Sequence, residues 1–149
     1  MPLLDRLNQE IKAAMLARDA ERLSTLRLLK SAVGYAQIEK KNDALPDAEV
    51  IAIVQKEIKK RRDAIEQYQK GGRPEQAARE QQEIPVLEGF LPQPFSEAEL
   101  EQLARAAIAE VGATSRKEMG PVIKAVQARA AGRADGKTIS TLVARLLPA

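Results

Sequence analysis

At 149 residues the chain has room for one ordinary domain or two small ones, which excludes a large multi-site enzyme. Apolar residues make up 44%, charged residues 30% and aromatic residues only 3%, a mixture rich in helix formers and poor in strand formers that predicts an all-α protein. The net charge of +3 permits an anionic partner without requiring one, and the lack of Cys and His removes disulfides, thiolate nucleophiles, the common zinc ligands and the usual neutral-pH general base.

The opening Met-Pro-Leu-Leu-Asp-Arg has no signal-peptide core, and no apolar run approaches ~18 residues, so the expectation is a soluble cytoplasmic protein without a membrane partner. Leu4, Leu7, Ile11 and Ala14 or Met15 recur at helical steps, predicting a first helix over residues 3–18. Asp19 is placed to cap a second, over 20–40, with Leu26, Leu29, Val33 and Ala36 on one face. Gly34 in that helix is read as a point of close packing. Pro46, Asp47 and Glu49 open a third helix, whose buried stripe is Val50 or Ile51, Val54, Ile58, Ile65 and Tyr68.

The middle of that helix carries Lys56, Lys59, Lys60, Arg61 and Arg62, five cations in seven residues. Glu57, Asp63 and Glu66 lie within helical reach, so a solvated, self-paired face competes with anion binding as the explanation. Gly71-Gly72-Arg73-Pro74 stops this helix and starts a fourth; with no preceding strand and no GxxxxGK[ST] pattern, it is no phosphate loop. The fourth helix has only Ala77, Ala78 and Ile84 as apolar positions, and Pro85 is expected to kink or end it. The run VLEGFLPQPF reads as an apolar anchor followed by a Pro-x-Pro linker.

Ser96-Glu97-Ala98-Glu99 matches a capping box and opens a fifth helix with Leu100, Leu103, Ala107 and Ile108 inward, ended by Gly112. Ser115-Arg116-Lys117-Glu118 repeats the box and opens a sixth with Val122, Ile123 and Val126 apolar; Pro121 in its first turns is tolerated. Asp135 or Gly136 caps a seventh with Ile139, Leu142, Val143, Leu146 and Leu147 as its stripe. The boundaries that follow are an N-terminal four-helix domain over 1–92, a linker over 93–95, and a C-terminal three-helix domain over 96–149.

From Ser115 to the end, seven cations face only Glu118 and Asp135, so most of the net charge is concentrated in the tail. The connector Ala131-Gly132-Arg133-Ala134-Asp135-Gly136 sets cations beside a flexible backbone, which fits either a phosphate-facing surface or an ordinary solvated loop.

Met119-Gly120, Val122, Lys124, Gly132 to Lys137 and the closing Leu142-Val143 and Leu146-Leu147 resemble the tail motif shared by YqeY proteins and the B subunit of the aspartyl/glutamyl-tRNA amidotransferase, the GatB/YqeY family. Upstream, the Leu26 to Ala32 run, the Tyr68 to Arg73 turn and Phe90-Leu91-Pro92 are similar to the stand-alone YqeY branch, so the resemblance spans essentially the whole chain. Pro121, where a basic residue often follows the Met-Gly pair, and Pro85 depart from the common pattern. The resemblance implies an all-helical, two-domain protein whose tail contacts the outer body of tRNA while any amidation belongs to a partner. Lys117, Lys124, Arg129, Arg133, Gly136 and Lys137 are the candidate tRNA-binding residues, with Lys59, Lys60, Arg61 and Arg62 as a secondary basic patch. With no visible nucleophile, ATP site or metal-ligand set, the chain is expected to need no cofactor or small-molecule substrate and to catalyse nothing alone. The second reading is a helical protein-interaction module docking on an amidotransferase, a synthetase or another cytosolic assembly, with exposed Leu, Val and Ile beside Tyr68 or around Phe90 as anchors, although the same residues can close the two small cores.

Overall fold

The computed structural model describes residues 1–149. Every helix and turn follows the all-α expectation, with no strand anywhere, and the chain divides into two compact units, Met1–Leu91 and Pro92–Ala149.

The first unit holds α1 (Leu3–Leu16), α2 (Ala20–Lys40), α3 (Asp47–Lys70) and α4 (Pro74–Glu88). Asp19 caps α2 by accepting a hydrogen bond from the Arg22 amide. Between α3 and α4 the chain reverses at Gly71 and Gly72; the latter has φ +70, and the Arg73 amide returns to the Tyr68 carbonyl at 2.8 Å. The core is built from Leu7, Ala14, Leu26, Leu29, Val33, Val50, Val54, Ile58, Ile65, Ala77, Ile84, Leu87 and Phe90, closed at the loop before α3 by Leu45. Ala14 rather than Met15 completes the α1 stripe, and Val50 rather than Ile51 leads that of α3. Ala78 is exposed, and nothing approaches a Cβ built on Gly34, so that glycine marks no close helix contact.

Pro85 does not end α4, which continues to Glu88. The donor it lacks would have met the carbonyl of Gln81, and both residues lie on the exposed side, where water replaces the lost bond. The extra turn carries Leu87 and Phe90 into the core.

The second unit holds α5 (Glu97–Val111), a short 3₁₀ turn over Arg116–Glu118, α6 (Met119–Ala130) and α7 (Gly136–Leu146). Ser96 forms the expected capping box: its Oγ accepts from the Glu99 amide at 3.2 Å, and Glu99 Oε1 accepts from the Ser96 amide at 3.4 Å. The second expected box is different. Ser115 accepts from the Lys117 amide at 3.3 Å, while Glu118 reaches back to the Thr114 amide at 2.7 Å, so the caps serve a 3₁₀ turn and α6 begins only at Met119. Leu100, Ala104, Ala107, Val122, Val126, Ala130, Ile139, Val143 and Leu147 form this unit's core, with Phe95 packed at its edge.

Candidate nucleic-acid interface

The interface candidates lie on α6, on α7 and in the turns that start each. Helix α6 stops at Ala131, whose left-handed φ of 48 precedes Gly132 at φ 87, and this sharp exit turns the chain directly into α7. Asp135 caps α7 by accepting from the Thr138 amide at 2.7 Å. A carboxylate therefore already stands at the α7 N-terminus. Asp135 takes one of the free amides of this helix, and its charge disfavours an anion at that end.

A Cβ placed on Gly136 would lie 3.6 Å from Gln127 Nε2, which sets the start of α7 against the second half of α6. Lys124 is one turn before Gln127 on the same face of α6, and Lys137 follows Gly136. Lys124, Gly136 and Lys137 are thereby gathered in one region. Lys117 is not; it sits in the 3₁₀ turn at the opposite end of α6, a helix about 18 Å long. All three lysines are exposed, and none has an ion pair or hydrogen bond from its ammonium group.

The arginines behave differently. Arg129 pairs with Glu110 of α5. Arg116 donates from Nε to the Ala144 carbonyl at 3.0 Å, and its amide meets the Pro148 carbonyl at the same distance, which fastens the end of α7. Arg133 is half-buried: its guanidinium lies 3.7 Å from the centre of the Phe95 ring, its Nε donates to the Gln93 carbonyl at 2.7 Å, and its own carbonyl accepts from the Phe95 amide at 2.9 Å. Sequence reasoning missed this attachment because Gln93 and Phe95 are about forty residues from Arg133 and carry no local signal.

The secondary patch on α3 loses one member. Arg61 is buried, at 6% exposure, donating to Glu57 Oε2 at 2.9 Å, to the Glu57 carbonyl at 3.0 Å and to Glu83 Oε2 of α4 at 3.2 Å. The expectation of four surface cations is corrected to Lys59, Lys60 and Arg62, of which Lys60 pairs with Glu57 at 3.5 Å and Arg62 has a partner of its own. The signal was present: Val50, Val54, Glu57, Ile58, Arg61 and Ile65 fall on one helical stripe, so two charges stood at core positions.

Burial raises the Glu83 carboxyl above the ordinary glutamate range; a hydrogen bond that its protonated form donates to Glu80 and the Glu80 negative charge act the same way, and Arg61 opposes them. A carboxyl whose folded pKa exceeds its unfolded value holds protons more tightly in the native state. Its contribution to stability therefore falls as pH rises from about 4.3 through the raised value. Arg61 and Glu80 are the charged groups that act on it, and Arg61 links it to Glu57. Glu83→Gln is expected to flatten this part of the stability curve in urea melts at stepped pH; an unchanged slope refutes the assignment.

Elsewhere, an open cleft of about 750 Å³ lies between α1, α2 and the loop before α3, floored by Leu7, Val33 and Leu45 and rimmed by Asp5, Lys30 and Asp47. No cluster of three potential metal ligands is gathered, and no helix is long and apolar enough to cross a membrane.

These features define a two-unit helical protein whose tail presents lysines on a small three-helix core. The family model of YqeY-like proteins matches residues 4–147, and the chain belongs to that family. It is similar to an uncharacterized protein of Schizosaccharomyces pombe, 33% identical over 87 residues that cover 58% of this chain and 70% of that one. It is also similar to proteins named altered inheritance of mitochondria protein 41, mitochondrial. In Vanderwaltozyma polyspora the identity is 31% over 85 residues, 57% of this chain and 46% of the relative. In Pyrenophora tritici-repentis it is 26% over 133 residues, 86% and 73% of the two chains. The match to the Vanderwaltozyma relative thus spans about half of that protein's length.

Proposed function

We propose that this protein is a tRNA-binding accessory factor that holds the folded outer body of tRNA through its tail and leaves any amidation to a partner enzyme. In this reading the four helices of the first unit are a scaffold, and the three helices of the second are the tail resembling that of the amidotransferase B subunit. The observation that carries it is the set of exposed, unpartnered Lys117, Lys124 and Lys137, placed along and beside α6. Free ammonium groups suit a phosphate backbone, and with two Phe and two Tyr in the chain there is little capacity for stacking on bases. The work is assigned to an aqueous compartment: the cytoplasm or, as the names of the fungal relatives say of those proteins, the mitochondrion.

Filter binding of tRNA at stepped salt tests the reading. Each lysine that meets a phosphate contributes roughly 0.7–0.9 to the slope of log affinity against log salt, so Lys117→Gln, Lys124→Gln, Lys137→Gln combined should lower the slope by about 2–3. No binding by the unaltered chain at low salt, or an unchanged slope in the triple variant, sinks the proposal.

A second reading, a protein-interaction module on a tRNA-charging or tRNA-amidating assembly, is favoured by one observation. Leu28, Tyr35 and Ile38 lie on the outer face of α2 at 51%, 76% and 77% exposure, opposite the Leu26, Leu29 and Val33 stripe. Phe90 itself is in the core, and Tyr68 packs against it. Capture of an amidotransferase or synthetase that survives ribonuclease and is lost in Tyr35→Asp would displace the RNA reading in favour of this one.

A further inference from the structure

Six of the tail's seven cations fall into two groups, and the seventh, Arg145, is exposed on α7. Among the arginines, Arg116, Arg129 and Arg133 are each engaged within the protein, by the Ala144 carbonyl, by Glu110, and by Gln93 with Phe95. The lysines Lys117, Lys124 and Lys137 are all exposed and unengaged. The two head groups suit these two roles. A guanidinium is planar, weakly hydrated and able to stack on a ring while donating in its own plane; an ammonium is a compact, strongly hydrated point charge that stays in water.

Arg133 shows this most fully. It lies two residues beyond Ala131, where the chain leaves α6 in the left-handed conformation, and two before Asp135, which caps α7. Ring stacking, the bond to Gln93 and the amide bond from Phe95 tie this turn to the segment entering α5. The path of the turn determines where α7 begins, hence where Lys137 stands relative to Gln127 and Lys124.

We infer that Arg133 is a positioning residue rather than a phosphate ligand: it clamps Gln93 and Phe95 to the α6–α7 turn and so sets the spacing of Lys124 and Lys137, which meet the RNA backbone. The inference rests on the tRNA reading above and deepens it, since an interface of lysine point charges follows backbone shape and lacks the bidentate fork that reads a guanine edge.

Two charge-preserving variants of the full chain, Arg133→Lys and Phe95→Leu, provide the test. The first keeps a cation but replaces the planar stack; the second removes the ring and alters no charge. Hydrogen exchange at the Phe95 amide reads the clamp, exchange at the Val126 amide reads the core, and filter binding of tRNA at stepped salt reads the surface. Both variants should speed exchange at the amide of residue 95 about tenfold relative to its intrinsic rate, leave Val126 protected, and weaken tRNA binding about three- to fivefold with an unchanged salt slope. The double variant should be no weaker than either single one, because both open the same contact.

The inference is overturned if Arg133→Lys and Phe95→Leu bind tRNA as tightly as the unaltered chain while Arg133→Gln weakens binding and lowers the salt slope, the signature of a direct phosphate contact. It is also overturned if the amide of residue 95, relative to its intrinsic rate, exchanges no faster in either variant. An unaltered chain that binds no tRNA removes the functional reading itself, and the exchange measurements distinguish that result from a clamp that never existed.

Discussion

Arg61→Ala should destabilise the first unit by about 3–5 kcal/mol, because it leaves Glu83 without its counter-charge and the buried Glu57 with only the exposed Lys60. The Arg61 side chain is 7% exposed and those of Glu57 and Glu83 are 11% and 24%, so water cannot replace the guanidinium at the inner carboxylate. Removing one partner exposes the full desolvation cost of the others, whereas an apolar replacement of all three groups would incur no such cost. Chemical denaturation followed by a probe confined to residues 1–91 measures the loss. A loss below about 1 kcal/mol, the range of exposed pairs, would show that water reaches the network. Surface pairs supply the contrast: Lys70 and Glu66, 3.0 Å apart and each more than 60% exposed, should change stability little when either is removed.

Phe90→Ala should cost the same unit about 3–5 kcal/mol by emptying a large volume from a closed core. The ring is 2% exposed, at the end of the turn that α4 makes beyond Pro85, and the Arg6 guanidinium of α1 lies 5.0 Å from its centre. Two elements distant in sequence, residues 1–16 and 74–90, therefore depend on one side chain. Phe90→Leu, which keeps most of the volume, should lose less than half as much. Equal losses in thermal melts of the two variants would mean that the Arg6 contact, which both remove, outweighs the packing.

The helices were legible because their signals are local. Asp19, Ser96 and the Gly71-Gly72 turn act within four residues of themselves, and period-3.6 stripes such as Leu26, Leu29 and Val33 need no knowledge of the partner helix. Of the two effects expected of Pro85, ending the helix does not occur, because its missing bond faces the exposed side. Ser115 misled because Glu118 has two nearby amides to choose from, and it takes that of Thr114.

At the candidate interface, the charge was legible and its use was not. Sequence counts Arg129, Arg133 and Lys137 alike. Only the fold shows Glu110 and Phe95 arriving from α5 and its entrance to engage the first two. Arg61 could have been found, since it shares the α3 stripe with Val54 and Ile58, but a cluster of neighbouring cations drew the residue toward the surface reading.

The partners of Arg116 and Arg133 are neutral: two carbonyls and an aromatic ring. Bonding of this kind holds a guanidinium in place without cancelling its charge. Both residues thus still pull an approaching polyanion through the solvent, within a screening distance of about 8 Å at physiological ionic strength, although neither is free to grip it. In the tRNA reading proposed above, diffusional capture and final grip would be divided between residues: fixed arginines would accelerate the encounter, and free lysines would govern how long the complex lasts.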